Sequence, residues 1–228
     1  MPKSVYLSGW EDGFSGALRD RLERATVELC DKEESAELTF GLGENSSGDV
    51  VILPPGLKTG GSRVEIFVHD LIIPFGGDSW GTSAISKWVN EIKTGLEPEF
   101  DPEGIHYWVH VRDVVEGICS IVVADGFTSL GGRMDVCGRR AWKDSDIVNE
   151  IIQLWQRYQN ALSHSHTASS LSSISSPVKE AVETEGLRPN LGPFHEAIVN
   201  SGGIGWHPTV QIRTCLMELI AASEITLG

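Results

Sequence analysis

Short apolar runs alternate along the chain with segments whose apolar residues recur every three or four positions. Continuous apolar runs bounded by glycine, proline or polar residues are typical of buried strands, and the wider spacing is typical of amphipathic helices. The runs predict strands within 5–8, 26–31, 49–53, 64–68, 107–111 and 132–138, and the spacing predicts helices within 17–22, 83–94, 113–118, 145–158 and 210–220. This alternation indicates an α/β fold, and we expect a Rossmann-like, doubly wound, mainly parallel sheet with a small C-terminal subdomain.

Three glycines, Gly9, Gly13 and Gly16, separate the first predicted strand from the first predicted helix. The N–H groups at a helix start point outward and the helix dipole favours negative charge, so this arrangement can bind an anion. Gly9 would permit a sharp turn, Gly13 would let backbone approach a pyrophosphate, and Gly16 would let the helix pack closely on the strand. A plain structural turn stays open, because the spacing is not the common G-x-G-x-x-G and because Glu11 and Asp12 would repel a phosphate.

Asp31 follows the second predicted strand. In dinucleotide-binding units an acidic residue at such a position accepts the ribose hydroxyls, and it repels the 2′-phosphate of NADP. Asp31 is therefore a candidate cofactor residue that favours NAD over NADP, although the neighbouring Lys32 weakens that preference. The alternative is an aspartate that simply ends a strand.

The composition narrows the class of protein. The chain has 228 residues, a formal net charge of −14 and no Lys/Arg cluster, which argues against general affinity for nucleic acid. No apolar run approaches the roughly 18 residues of a membrane span, and no signal segment opens the chain, so we expect a cytoplasmic protein. The four cysteines are scattered in apolar surroundings and are expected to be core thiols, with no metal site.

A shift in composition divides the chain. Serine dominates residues 163–176, which favours a linker or loop. We therefore expect a dinucleotide-binding core over 1–160, a Ser-rich linker over 161–180 and a C-terminal segment over 181–228.

Taken in order, five segments resemble motifs of the nucleotide-sugar epimerase/dehydratase branch of the extended short-chain dehydrogenases. They span nearly the whole chain. Segment 8–16 is similar to the T-G-x-x-G-F-x-G of that family with one residue inserted, and 108–114 is similar to its F-V-H-V-x-D-V. The other three are 50–55, similar to V-I-H-L-A-A, 73–78, similar to a V-Y-G-P-G loop, and 205–210, similar to a closing G-W-x-P-x-V.

The resemblance implies NAD or NADP as cofactor, with Gly9, Gly13, Phe14, Gly16 and Asp31 in contact with it. It also implies a small-molecule substrate, which in that family is a nucleotide sugar. By the same resemblance Arg188 would bind the substrate diphosphate, the alternative being a surface arginine before Pro189. Members of the family tend to dimerise, so we expect a homodimer or a heteromeric partner.

One departure from the family concerns its proton relay. Members carry a Tyr-x-x-x-Lys motif in about a hundred residues that this chain lacks near 56–63. The tyrosines here are Tyr6, Tyr107 and Tyr158, and none is followed by lysine four residues later. Two hypotheses follow: a shortened NAD(P)-dependent oxidoreductase acting on a nucleotide sugar or a similar hydroxy/keto substrate, or a catalytically degenerate member serving as a nucleotide-binding or partner subunit.

Overall fold

A six-stranded parallel sheet forms the centre of the computed structural model, which describes residues 3–75, 78–81, 83–165, 167 and 188–225. In chain order the strands are β1 (Ser4–Gly9), β2 (Glu28–Leu29), β3 (Leu38–Leu42), β4 (Ser47–Leu53), β5 (Gly61–Val68), β6 (Leu71–Ile72), β7 (Ile105–His106), β8 (Val109–His110), β9 (Gly132–Val136) and β10 (Trp142–Lys143). The central sheet has the order β2-β1-β3-β4-β5-β9, and every neighbouring pair in it is parallel.

Helices follow the strands, and those other than the helix at Gly192–Asn200 lie where the apolar spacing predicts them. They are α1 (Gly13–Arg24), α2 (Ser83–Lys93), α3 (Val111–Val123), α4 (Asp144–Leu162), α5 (Gly192–Asn200) and α6 (Ile212–Ile225). The predicted α/β, Rossmann-like fold class with a mainly parallel sheet is confirmed.

The main core lies on one face of the sheet. Side chains alternate between the two faces of a strand, and one alternate set from β1, β3, β4, β5 and β9 is buried against α1, α3 and α5. From the strands this set comprises Val5, Leu7, Leu38, Phe40, Leu42, Val50, Ile52, Val64, Ile66, Val68, Met134 and Val136. The opposite set of β4 and β5 forms a small separate cluster, in which Val51, Leu53 and Phe67 pack with Leu57.

A second apolar cluster joins α2, α4 and α6 beside the sheet. Two short two-stranded sheets lead into it: β6 pairs with β8 in parallel, and β7 pairs with β10 antiparallel. Helix α6 lies in the predicted C-terminal segment, whereas α2 and α4 lie in the predicted core, so residues from both predicted segments build this cluster.

Strand β3 is absent from the predictions made from the apolar runs. Its residues alternate, with Leu38, Phe40 and Leu42 on the core face and Thr39 and Gly41 between them, so the segment contains no continuous apolar run. It nevertheless lies next to β1 in the middle of the sheet, and the five registered pairs between these strands hold it there.

The connections on either side of β4 are short. Residues 43–46 join β3 to β4 and residues 54–60 join β4 to β5, whereas parallel neighbours usually need a dozen or more. The backbone therefore packs closely, and a Cβ on Gly41 would lie 2.6 Å from the Ser47 carbonyl oxygen. The shortening predicted near 56–63 falls on the second connection, and its origin in lost family residues stays a prediction.

The Ser-rich linker predicted over 161–180 lies for the most part outside the described residues, and residues 161 and 162 are the last of α4. Within the part of the chain that the structure describes, no helix combines the length and the apolar character needed to cross a lipid bilayer.

Candidate functional site

The turn after β1 is the first element of the predicted cofactor site. Gly9 has φ of +96°, a conformation that side chains disfavour. A Cβ at this position would also lie 2.1 Å from the Leu42 carbonyl oxygen. The next residue, Trp10, donates its N–H to that same oxygen over 2.9 Å. The sharp turn predicted at Gly9 is therefore present. The hydrogen bond from Trp10 joins the end of β1 to the end of β3.

Asp12 occupies the N-terminus of α1. Its Oδ1 accepts the N–H groups of Phe14 and Ser15 at 2.9 and 3.0 Å, and the Ser15 hydroxyl accepts the Asp12 N–H in return. Gly16 donates to the Asp12 carbonyl oxygen. Of the four N–H groups that a helix start leaves free, those of Phe14 and Ser15 are thus bonded to the Asp12 carboxylate, and that of Asp12 itself is bonded to the Ser15 hydroxyl.

Trp80, 68 residues further along the chain, also contacts Asp12 at the start of α1. Its Nε1–H donates to the second carboxylate oxygen of Asp12 over 2.6 Å, and the residue is only 2% exposed. The Trp80 ring lies against Phe14, with ring centres 4.3 Å apart, and meets Trp10 edge-on at 5.6 Å. Both carboxylate oxygens of Asp12 therefore accept hydrogen bonds.

Two glycines show how tightly this region is packed. A Cβ on Gly13 would lie 1.9 Å from the Phe75 carbonyl oxygen, so the chain after β6 rests directly on the first residue of α1. A Cβ on Gly43 would lie 2.1 Å from the Trp10 ring, so this indole covers the chain just beyond β3. Backbone of the chain after β6 therefore lies against Gly13, the residue to which the sequence assigns the close approach of a pyrophosphate.

The packing role predicted for Gly16 is wrong. A Cβ built there meets no atom within 4 Å, because the residue faces away from the sheet. Close approach of α1 does not depend on this glycine.

The helix start in this conformation does not fit a diphosphate. Its outward N–H groups already have a carboxylate acceptor, and a second anion beside Asp12 would be repelled. Asp31 lies exposed just beyond β2, at the same carboxyl edge of the sheet as Gly9. The binding roles assigned from the sequence to Gly9, Gly13, Phe14, Gly16 and Asp31 stay predictions.

Arg188 lies apart from the α1 start. It is exposed, and its Nη1 is 3.5 Å from the Arg139 carbonyl oxygen, near the end of β9. Its predicted contact with a substrate diphosphate stays a prediction.

Side chains of the V-H-V-R-D segment at 109–113 form hydrogen bonds with the C-terminal part of the chain. His110 caps α3, since its Nδ1 accepts the Arg112 N–H at 3.1 Å, and its Nε2–H then donates to Glu218 of α6 at 3.1 Å. Asp113 accepts the N–H groups of Thr209 and Val210. Burial lowers the pKa of His110, which keeps the ring neutral for this task.

Asp70 and His106 form a second polar centre that sequence reasoning missed. The carboxylate of Asp70 meets His106 Nδ1 at 2.7 Å and accepts the Tyr107 N–H at 2.6 Å. Buried Asp144, the first residue of α4, lies 3.5 Å from His106 Nε2. The adjacent His69 bonds instead to Asp135, at 2.7 Å. The ring of His106 therefore links the loop after β5 to the start of α4.

This centre predicts a pH dependence of stability. The hydrogen bond with Asp70 raises the pKa of His106 above its ordinary 6.5. Charged His106 is favoured in the folded chain, so its contribution is complete below pH 6.5 and is lost as the pH rises through the raised pKa. We expect the free energy of unfolding, measured in urea, to fall more steeply above about pH 6.5 for the wild type than for His106→Asn. Parallel curves for the two proteins would contradict this.

Three of the four cysteines lie in the core as free thiols. Cys119, Cys137 and Cys215 are buried and Cys30 is half-buried, and none forms a disulfide with another of the four. Burial raises the pKa of Cys137 and of Cys215 to about 12, so both are thiols at neutral pH. The prediction of core thiols is confirmed for the three buried residues.

Comparison with known proteins gives the fold. No model of a protein family matches the sequence, and no curated protein matches it. Solved structures do match. WbmF from Bordetella bronchiseptica, in complex with NAD+ and UDP, has a TM-score of 0.61 at 10% identity, with 99% of this chain and 93% of that chain covered. The chain has the fold of these enzymes.

Two further structures agree. RMD from Pseudomonas aeruginosa, complexed with NADPH, has a TM-score of 0.60 at 12% identity, with 99% of each chain covered. UDP-glucose 4-epimerase from Thermus thermophilus, in complex with NAD, has a TM-score of 0.54 at 10% identity, with 97% of this chain and 99% of that chain covered. The predicted cofactor class, NAD or NADP, is the class that these proteins hold.

Proposed function

We propose that this chain is a catalytically degenerate protein with the epimerase fold, which serves as a binding or partner subunit. The observation that supports this most directly is the Asp12 carboxylate on the N–H groups of Phe14 and Ser15. A dinucleotide phosphate can reach those groups only after Asp12 and Trp80 have left them.

The missing proton relay supports the same proposal. The residues four positions after the tyrosines are Trp10, Val111 and Leu162, so no tyrosine of this sequence has a lysine at the spacing of that relay. General acid–base catalysis typically contributes about 10²–10⁴-fold to a rate. A chain without this motif, and with Asp12 on the N–H groups at the start of α1, would lack two separate requirements of the chemistry.

A change at Asp12 tests the proposal. Asp12→Ser keeps a good helix cap but removes the carboxylate and the acceptor of the Trp80 indole. Hydrogen bonds to charged groups contribute about 1.5–3 kcal/mol, and tenfold in affinity corresponds to about 1.4 kcal/mol. We expect NADH to bind the wild type weakly and Asp12→Ser at least about tenfold more tightly in calorimetric titration.

Glu11→Gln is the matched control. It removes a negative charge from the neighbouring exposed residue and leaves the cap intact, so the NADH affinity of this variant should rise much less than that of Asp12→Ser. Micromolar NADH binding by the wild type with no gain in Asp12→Ser would overturn the proposal.

The second candidate is an NAD(P)-dependent oxidoreductase acting on a nucleotide sugar or a similar hydroxy/keto compound. The similarity over 99% of the chain to a structure that holds NAD+ and UDP favours it. For this activity the Asp12 side chain would have to leave the N–H groups at the start of α1. A residue outside a Tyr-x-x-x-Lys motif would also have to donate the proton. Hydride transfer from NADH to a keto substrate, or epimerisation of UDP-glucose, would establish it.

Association with a second chain is also part of this proposal. The sequence predicts either a homodimer or a complex with a different chain, and light scattering of the purified protein distinguishes a dimer from a monomer that awaits another partner.

A further inference from the structure

A groove of about 540 Å³ lies between the end of α2 and the outer face of α4. Most of the side chains in its walls are apolar. Ile92 and Leu96 line one side, and Ile152 and Trp155 of α4 line the other. Leu96 is 62% exposed and Ile152 is 43% exposed, although both are large apolar residues. The chain therefore presents a concave apolar surface to solvent.

Helix α4 has two apolar faces, and only the inner one is fully buried, in the second apolar cluster. The outer face carries Ile152, Trp155, Gln159 and Leu162, spaced by three, four and three positions. This is the spacing of the positions that one helix presents to another in a coiled coil. Leu162, at the end of this stripe, is 60% exposed. The stripe is about 15 Å long at 1.5 Å per residue, which matches about three turns of a second helix.

Negative charge borders the groove on the side opposite α4. The segment 95–104 follows α2 and contains Glu97, Glu99, Asp101 and Glu103, all of which are exposed. Among the described residues that line the groove, Glu97 is the only charged one. The groove therefore combines an apolar floor with an acidic border.

Two lysines of α2 lie near this border. Lys87 is 3.8 Å from Glu99, and such an exposed pair contributes little. Lys93 lies 5.4 Å from the centre of the Trp155 ring, and its Nζ donates to the Ser223 hydroxyl of α6 over 2.7 Å. The four acidic side chains outnumber these two bases, so the border stays negative.

We propose that this groove binds a basic amphipathic helix of a partner protein. The apolar stripe of that helix would lie along the outer face of α4, as in other complexes in which a helix occupies an apolar groove. Its lysine or arginine side chains would face the acidic segment 95–104. A second copy of this chain fits the groove poorly, because each copy has a net charge of −14 and would bring a second acidic border to the first. The inference rests on the partner role in the proposed function and names the kind of partner.

The probe is a synthetic helical peptide of about four turns, with leucine at the coiled-coil positions, lysine beside them and alanine elsewhere. We expect calorimetric titration to show that the wild type binds it at least about tenfold more tightly than two comparison peptides. In the first, glutamate replaces every lysine, so the apolar stripe is kept and the charge is reversed. In the second, the same residues stand in scrambled order, so the charge is kept and the stripe is lost.

Two variants test the groove itself. Ile152→Gln should lower the affinity for the lysine peptide at least about tenfold, because it places a polar group on the stripe. The triple variant Glu97→Gln, Glu99→Gln, Glu103→Gln should lower that affinity several-fold at low salt and weaken its dependence on salt. All four residues are exposed, so both variants should keep the wild-type melting temperature, which confirms that any loss of binding is local.

Each variant has a matched control. Ile204→Gln changes an exposed isoleucine that follows α5, outside the groove, and should keep the wild-type affinity. The triple variant Glu33→Gln, Glu34→Gln, Glu37→Gln removes the same number of exposed acids beyond β2, at the edge of the central sheet. It should lower the affinity much less than the triple variant at the groove does.

Several results would overturn the proposal. Equal binding of either comparison peptide, or an unchanged affinity in Ile152→Gln, would each do so. A wild-type dimer that Ile152→Gln converts to monomers in light scattering would assign the groove to a second copy, with the same consequence. Asp12→Ser should bind the lysine peptide as the wild type does, so its NADH titration can contradict the proposed function while the groove still binds the peptide.

Discussion

Asp113→Ala is expected to lower the free energy of unfolding by about 2–4 kcal/mol. The Asp113 carboxylate is only 8% exposed and accepts the Thr209 N–H at 2.9 Å and the Val210 N–H at 3.1 Å. Its removal leaves both donors without their acceptor, and hydrogen bonds to charged groups contribute about 1.5–3 kcal/mol each. Urea denaturation followed by circular dichroism measures the loss.

Two variants separate the hydrogen bonds from the charge. Asp113→Asn retains one acceptor oxygen of the same shape, so it should lose less stability than the alanine variant. Asp20→Ala removes an exposed carboxylate whose partner is Arg24, one helical turn away, and should cost less than about 1 kcal/mol. A loss for Asp113→Ala no larger than that for Asp20→Ala would show that this clamp does not stabilise the fold.

Gly13→Ala is expected to lower the free energy of unfolding by about 1–3 kcal/mol, the usual cost of overpacking. Its Cβ would lie 1.9 Å from the Phe75 carbonyl oxygen and 2.7 Å from Ile73. One of the two chain segments therefore has to move. The nearest obstacle is backbone, which cannot rotate away as the end of a flexible side chain could.

Gly16→Ala is the matched variant in the same helix. A Cβ there meets no atom within 4 Å, and alanine is favoured over glycine inside a helix by about 0.5–1 kcal/mol. We expect this change to raise the melting temperature while Gly13→Ala lowers it. Equal melting temperatures for the two variants would contradict the close approach of the chain after β6 to the start of α1.

The start of α1 shows how much of the structure can be predicted from the sequence. The apolar run, the glycines and the helical spacing correctly indicate strand, turn and helix over 4–24. Asp12 with Ser15 three residues later is a local capping pattern, so the bonds from the Phe14 and Ser15 N–H groups could have been predicted. Trp80, 68 residues further along, could not, because nothing in its own neighbourhood marks it as a partner of Asp12.

The hydrogen-bonded groups around His110 and His106 also differ in how far the sequence predicts them. His110 lies within the segment 108–114, which resembles a known motif, and the structure shows that it caps α3. The pairing of Asp70 with His106 was missed, because adjacent His69 and Asp70 suggest a pair in the sequence. Asp70 has φ of +45°, so the chain turns there and the two side chains meet different partners.

By itself the sequence determined the fold class and the order of most strands and helices. Both are recorded in residue types and in short-range periodicity, which local sterics and burial impose directly. Only the tertiary structure decided that Asp12 and Trp80 occupy the start of α1, that β3 lies beside β1, and that Asp70 pairs with His106. Those outcomes depend on contacts between segments far apart in the chain, and such contacts leave no periodic signal in either segment.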